Sequence, residues 1–157
     1  MICARVMKNV AFTTFGCRLN QYDSETVRTL IEGSGGWRTV PNQADAHVVV
    51  VNTCSVTARA DATARKAIRR IHKEHPHARI VVTGCYAQRA PHDLAQLAGV
   101  SLVLGATNRA QVAAKLDTLQ ADQVEVAVAP IEQATTFLDV PITEMMEHSR
   151  AYVKVQE

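Results

Sequence analysis

Two stretches of this chain, His47-Val48-Val49-Val50-Val51 and Ile80-Val81-Val82-Thr83, are aliphatic without alternation. A strand wetted on one face alternates apolar and polar residues, whereas an unbroken aliphatic run reads as a strand buried on both faces. Such strands belong in parallel sheets, and a parallel sheet needs a helical crossover between successive strands. The segments between the runs must therefore be helical, and their periodicity agrees.

Val10 to Phe15 forms a first strand, ending at Gly16-Cys17. A helix is expected from about Asn20 to Glu32, with Asn20 as its cap and Asp23 and Glu25 in its first turns, where negative charge suits the helix dipole. Val27, Leu30 and Ile31 give it an apolar face, and Gly33, Gly35 and Gly36 stop it. Thr57 to Glu74 is a second helix, with Ala60, Ala64, Ala67, Ile68 and Ile71 on one stripe and Pro76 beyond its end. A shorter helix starts near Pro91, a residue suited to a first helical turn. Ser101 to Leu104 is a fourth strand ending at Gly105, and Asn108 opens a helix to about Leu119. Val124 to Val128 alternates as a fifth strand, residues 129–149 read as a linker, and Tyr152 to Val155 reads as a new strand. Strands alternating with helices give an α/β fold, a doubly wound parallel sheet with helices on both faces.

Composition narrows the function. Of 157 residues 47% are hydrophobic but only 4% aromatic, so the core is aliphatic. Lys and Arg number 17 against 15 Asp and Glu, a net charge of +2, which excludes a generic polybasic nucleic-acid binder. The longest run without a charge, Leu94 to Asn108, is shorter than the roughly 20 residues a membrane span needs. Arg5 and Lys8 interrupt the apolar stretch a signal peptide requires. No membrane association is expected, and the expected compartment is the cytoplasm, where thiols stay reduced.

Cys17, Cys54 and Cys85 each follow directly on a strand. Right-handed crossovers put all strand ends on one edge of the sheet, where ligands of open α/β sheets sit. If the first three strands are neighbours, with the first in the middle, their ends lie about 5 to 10 Å apart. Three thiolates converging from adjacent loops make a metal or cluster site. The cysteines are 37 and 31 positions apart, with no Cys-x-x-Cys pair of the kind common in structural zinc sites. Three thiolates leave a metal position open, which on a 4Fe–4S cluster could take an external ligand. Three small core residues are the other reading of the same spacing. Polar flanks, Arg18, Asn20, Asn52, Ser55 and Gln88, argue against a dry core. Asn20, Asn52 and Gln88 could donate hydrogen bonds around such a cluster, and Asn20 serves equally well as a helix cap.

The same residues carry a resemblance. Phe15-Gly16-Cys17-Arg18-Leu19-Asn20-Gln21-Tyr22-Asp23-Ser24-Glu25, Asn52-Thr53-Cys54-Ser55-Val56-Thr57 and Thr83-Gly84-Cys85-Tyr86-Ala87-Gln88 resemble the N-terminal domain of radical-SAM methylthiotransferases. The first motif is most similar to the branch acting on threonylcarbamoyladenosine in tRNA. The resemblance runs from about Asn9 to Asn108. It implies a flavodoxin-like domain whose auxiliary 4Fe–4S cluster is held by Cys17, Cys54 and Cys85. It further implies a second 4Fe–4S cluster that cleaves S-adenosylmethionine in a following radical-SAM barrel. The tRNA anticodon arm is the implied partner. The Cys-x-x-x-Cys-x-x-Cys set of that barrel is expected after Glu157, where the chain stops. The expected division is then 1–120 for the auxiliary-cluster domain, 121–149 for a strand and linker, and 150–157 for the first strand of the barrel domain. Such a piece is expected to bind the auxiliary cluster without turning over, and to dimerise if the barrel-facing surface is apolar.

Two other readings stay open: a non-catalytic flavodoxin-like binding module, and a zinc-binding structural domain with Cys3 or a histidine as fourth ligand. A flavin is disfavoured, because Gly16-Cys17-Arg18-Leu19-Asn20 lacks the Ser/Thr-rich composition of a flavin-phosphate loop. Cys3 lies outside the motifs and reads as a plain thiol unless the N-terminus folds back. His72, His75 and His77 read as polar residues at a helix C-terminus, where positive charge is favourable. Arg59, Arg65, Lys66, Arg69, Arg70 and Lys73 make the second helix basic. They are either a solvated outer face or phosphate contacts to tRNA. Arg59 is nearest the cysteine edge and is the best candidate among them for a role at the site.

Overall fold

A computed structural model describes residues 6–120, 122–134, 138 and 140–142. Six parallel strands form one sheet: β1 (Lys8–Thr14), β2 (Trp37–Thr39), β3 (Val48–Thr53), β4 (Arg79–Gly84), β5 (Val100–Leu104) and β6 (Glu125–Ala127). Their order is β2-β1-β3-β4-β5-β6. The first five follow the flavodoxin-like order, with the reversal of winding between β1 and β3. The helices are α1 (Arg18–Gly33), α2 (Ala58–Glu74), α3 (Cys85–Arg89), α4 (Pro91–Ala95) and α5 (Val112–Thr118).

Every residue of β3 and β5 is buried, as their aliphatic runs require. Alternate side chains serve opposite faces. Val49, Val51, Ile80, Val82 and Val103 pack with Ala64, Ile68 and Ile71 of α2 and with Tyr86 and Leu94. Val48, Val50, Val81, Leu102 and Leu104 pack with Val27 and Ile31 of α1 and with Val112 and Leu116 of α5. There are thus two aliphatic cores, one on each side of the sheet.

Four expectations change in detail. The middle strand of the first three long ones is β3 rather than β1, because the chain winds from β1 out to β2 and returns past β1. The three residues of β2, which pair with Lys8, Asn9 and Val10, are too short to show a period. Helix α1 begins two residues early, with Cys17 rather than Asn20 at its N-cap and no side-chain cap bond. The helix expected from Asn108 is a 3₁₀ segment, Ala106–Gln111, followed by α5. The strand expected at Tyr152 to Val155, the proposed barrel boundary and Cys3 lie outside the described residues. Among the described residues no helix is long and apolar enough to cross a membrane.

Candidate metal centre

The carboxyl edge of the sheet is assembled by strand register. Thr53 and Gly84 are register partners, so Cys54 and Cys85 leave β3 and β4 side by side. Thr14 of β1 is the partner of Asn52, and the Phe15 amide extends the pairing by donating to the Asn52 carbonyl at 2.8 Å. Gly16 then turns the chain with φ of +113°, and Cys17 starts α1. A Cβ on Gly16 would stand 2.5 Å from the Cβ of Cys54 and 3.2 Å from its sulfur. The first loop therefore lies directly against Cys54. Gly84, at φ +99°, makes the matching approach from the other side, where a Cβ would stand 2.3 Å from the Thr53 carbonyl oxygen. Only glycine fits either position.

Cys54 is 7% exposed, while Cys17 and Cys85 open to solvent. Partial burial pushes the Cys85 thiol above its ordinary pKa. The charges of Cys54, Asp23 and Cys17 push it the same way, and Arg109 opposes them. The register of Thr53 with Gly84 and the approach of Gly16 to Cys54 put all three cysteines on one edge. Deprotonated together they would repel, and a cation among them would offset that repulsion while releasing protons. The donor chemistry therefore suits a thiophilic metal group, and the glycine turns let the loops that carry the cysteines approach one another closely. Among the described residues no three His, Cys, Asp or Glu side chains close on one point as a ligand set. The three thiols share an edge without converging further.

Polar side chains brace this edge. Asn20 is 2% exposed, and its amide nitrogen donates to the carbonyls of Phe15 at 3.1 Å and Thr53 at 3.0 Å. Its Oδ1 accepts from the Cys17 thiol at 3.6 Å. Asn52 donates to the Asn20 carbonyl at 2.7 Å and to Ser24 Oγ at 2.9 Å. The two asparagines thus tie the Cys17 loop to β3. Gln88 is engaged elsewhere: its Nε2 donates to the Ala129 carbonyl at 2.9 Å and its Oε1 accepts from the Ala106 amide at 2.9 Å. Arg59 is exposed in the first turn of α2, and no described interaction of its side chain joins it to the cysteines.

Two arrangements escape a reading of the sequence. Asp23 and Arg109, at 7–8% side-chain exposure, form an ion pair at 2.9 Å behind the edge. Nothing in the sequence pairs residues that far apart. Tyr86, 1% exposed, accepts a hydrogen bond from Arg65 Nη1 at 2.6 Å and lies beneath the guanidinium of Arg89. Arg89 also donates to Ser55 Oγ at 2.7 Å and pairs with Asp61. The residues next to Cys54 and Cys85 are thereby clamped together.

A family model described as Uncharacterized protein family UPF0004 matches residues 9–105, more than half of the chain and all three cysteines of the edge. The chain belongs to UPF0004. Similar curated relatives of this UPF0004 chain are methylthiotransferases. The threonylcarbamoyladenosine tRNA methylthiotransferase MtaB of Bacillus subtilis is 34% identical over 152 residues, covering 96% of this chain and 34% of that protein. MtaB of Aquifex aeolicus is 36% identical over 149 residues, covering 94% and 36%. The tRNA-2-methylthio-N(6)-dimethylallyladenosine synthase of Syntrophobacter fumaroxidans is 34% identical over 128 residues, covering 79% and 28%. The UPF0004 chain spans about a third of the length of the MtaB relatives. These matches bear out the resemblance carried by the three cysteine motifs. Among solved structures, a protein described as pilus assembly-related from Burkholderia pseudomallei superposes with a TM-score of 0.54, covering 80% of this chain and 98% of that one. At 12% identity that likeness concerns the fold alone.

Proposed function

We infer that this chain is the part of a tRNA methylthiotransferase that holds an auxiliary 4Fe–4S cluster through Cys17, Cys54 and Cys85. The observation carrying the reading is the edge itself. Three cysteines leave adjacent strand ends, two of them in register, and the third loop is pressed against Cys54. The MtaB relatives support a substrate adenosine carrying a threonylcarbamoyl group. On this reading the tRNA anticodon arm is the partner of the whole enzyme. S-adenosylmethionine and a second cluster belong to its radical-SAM part.

The cluster, when bound, supplies one iron without a protein ligand, where sulfur destined for the nucleoside can be held. The chain's own residues prepare for it. Cys17, Cys54 and Cys85 provide the thiolates. Asn20 holds the loop that carries Cys17 in place by donating to the carbonyls of Phe15 and Thr53. Leu19 and Val56, two residues after Cys17 and Cys54, are exposed apolar side chains close to the site in sequence. Arg109 supplies positive charge behind Cys85 and favours its thiolate.

The identity of the bound group tests this reading. The purified chain is loaded anaerobically with iron and sulfide in one sample and with zinc in another, and each is then challenged with a chelator and with air. A coloured, sulfide-containing, air-sensitive species is expected. A colourless stoichiometric zinc complex that survives air, with no retained sulfide, would overturn it.

A further inference from the structure

The positive charge of this protein is concentrated in one helix. α2 carries six Lys and Arg and two Asp and Glu, so its formal charge of +4 exceeds the +2 of the whole chain. The structure sorts five of the six cations into two groups, and Arg69 is exposed on the flank, about 40° beyond Lys73 around the helix axis. Arg65 is turned onto Tyr86. Arg59, Lys66, Arg70 and Lys73 are exposed and fall within about 60° of one another around the axis at 3.6 residues per turn. This stripe lies opposite Ala64, Ile68 and Ile71, which face the sheet. It runs about 21 Å along the helix at 1.5 Å per residue, starting at the end next to Cys54.

Its charges are poorly compensated. Among the described residues Arg59, Lys66 and Lys73 have no ion-pair partner, and Arg70 meets only Glu74, at 3.9 Å with both side chains more than half exposed. Arg59 also occupies the first turn, where a cation opposes the helix dipole. A solvated face chosen for stability alone would carry acids there and alternate its signs.

We propose that the stripe formed by Arg59, Lys66, Arg70 and Lys73 is a docking track for the phosphate backbone of an RNA strand. The proposal rests on the tRNA methylthiotransferase reading and deepens it. A line of cations along a helix complements the regularly spaced charges of a phosphate chain, and contacts of this kind position a nucleic acid without reading its sequence. The track leads from the exposed face of α2 to the edge that carries Cys54. A strand held along it would be delivered to the cysteines.

Salt-dependent binding tests this directly. The purified chain is titrated with a fluorescein-labelled RNA hairpin across a range of salt, alongside the Arg59→Gln/Lys66→Gln/Arg70→Gln/Lys73→Gln variant and an Arg38→Gln control on β2. Four phosphate contacts predict that affinity falls about 50- to 150-fold between about 50 and 200 mM salt. The slope of log affinity on log salt should drop by about 3 in the quadruple variant and stay unchanged in the control. Circular dichroism of the variant confirms that it is folded. An unchanged slope in the folded variant, or no RNA binding by the parent at low salt, overturns the track. Preference for an acidic peptide over RNA overturns it equally. Iron loading of the same samples is read separately, so loss of the cluster reading and loss of the track are told apart.

Discussion

Gly84 shows how a single position sets the site. Its φ of +99° and the 2.3 Å approach of the Thr53 carbonyl to any added Cβ leave room for no side chain. Gly84→Ala should cost roughly 3 kcal/mol or more, read by chemical denaturation, since it adds backbone strain to a clash with a strand. Cys85 gives a second prediction at this scale. Its thiol titrates above the ordinary value because of burial and the neighbouring Cys54, Asp23 and Cys17. Where an unfolded chain has already lost this proton, the folded chain still keeps it. The resulting stability is present below the ordinary thiol pKa and is lost as pH rises through the folded value. Iodoacetamide should alkylate Cys85 of the metal-free chain with a pH midpoint above that of a model thiol. A midpoint at or below the model thiol would contradict this account. Cys54 and Cys85 were legible because a cysteine directly after a strand has its place fixed by topology, and Cys17 because only the short Phe15-Gly16 turn separates it from β1. The Asn20–Asn52 bracing, the Asp23–Arg109 pair and the Tyr86 clamp were not, because each joins residues that only the finished sheet brings together.

At the level of elements, the same helix carries structure on one face and charge on the other. Ile68 is fully buried between α2 and the sheet, so Ile68→Ala should cost roughly 2–5 kcal/mol in denaturant titration. Lys66→Gln, on the opposite face, should leave stability within about 0.5 kcal/mol. Equal losses from the two would mean that α2 is not seated as described. Element type was readable wherever a run was long or strongly patterned, as in β3, β4 and α2. It was not readable for β2, three residues paired at an edge, or for the α1 start, where Gly16 and Cys17 set the turn. Asn20 has the composition of a cap, but it is needed one turn inside the helix to bind the carbonyls of Phe15 and Thr53.

For the whole molecule, the doubly wound sheet explains why three cysteines separated by 37 and 31 positions share one edge. The site needs β1, β3 and β4 in register and both aliphatic cores intact. Loss of either core should therefore abolish metal loading together with folding. The most direct test counts iron and acid-labile sulfide per chain after anaerobic reconstitution, for the parent and for Cys17→Ala, Cys54→Ala and Cys85→Ala. The account predicts about four of each in the parent and loss of most of both in every variant. Full loading of any one of the three variants, or a folded parent that takes up no iron, would contradict it.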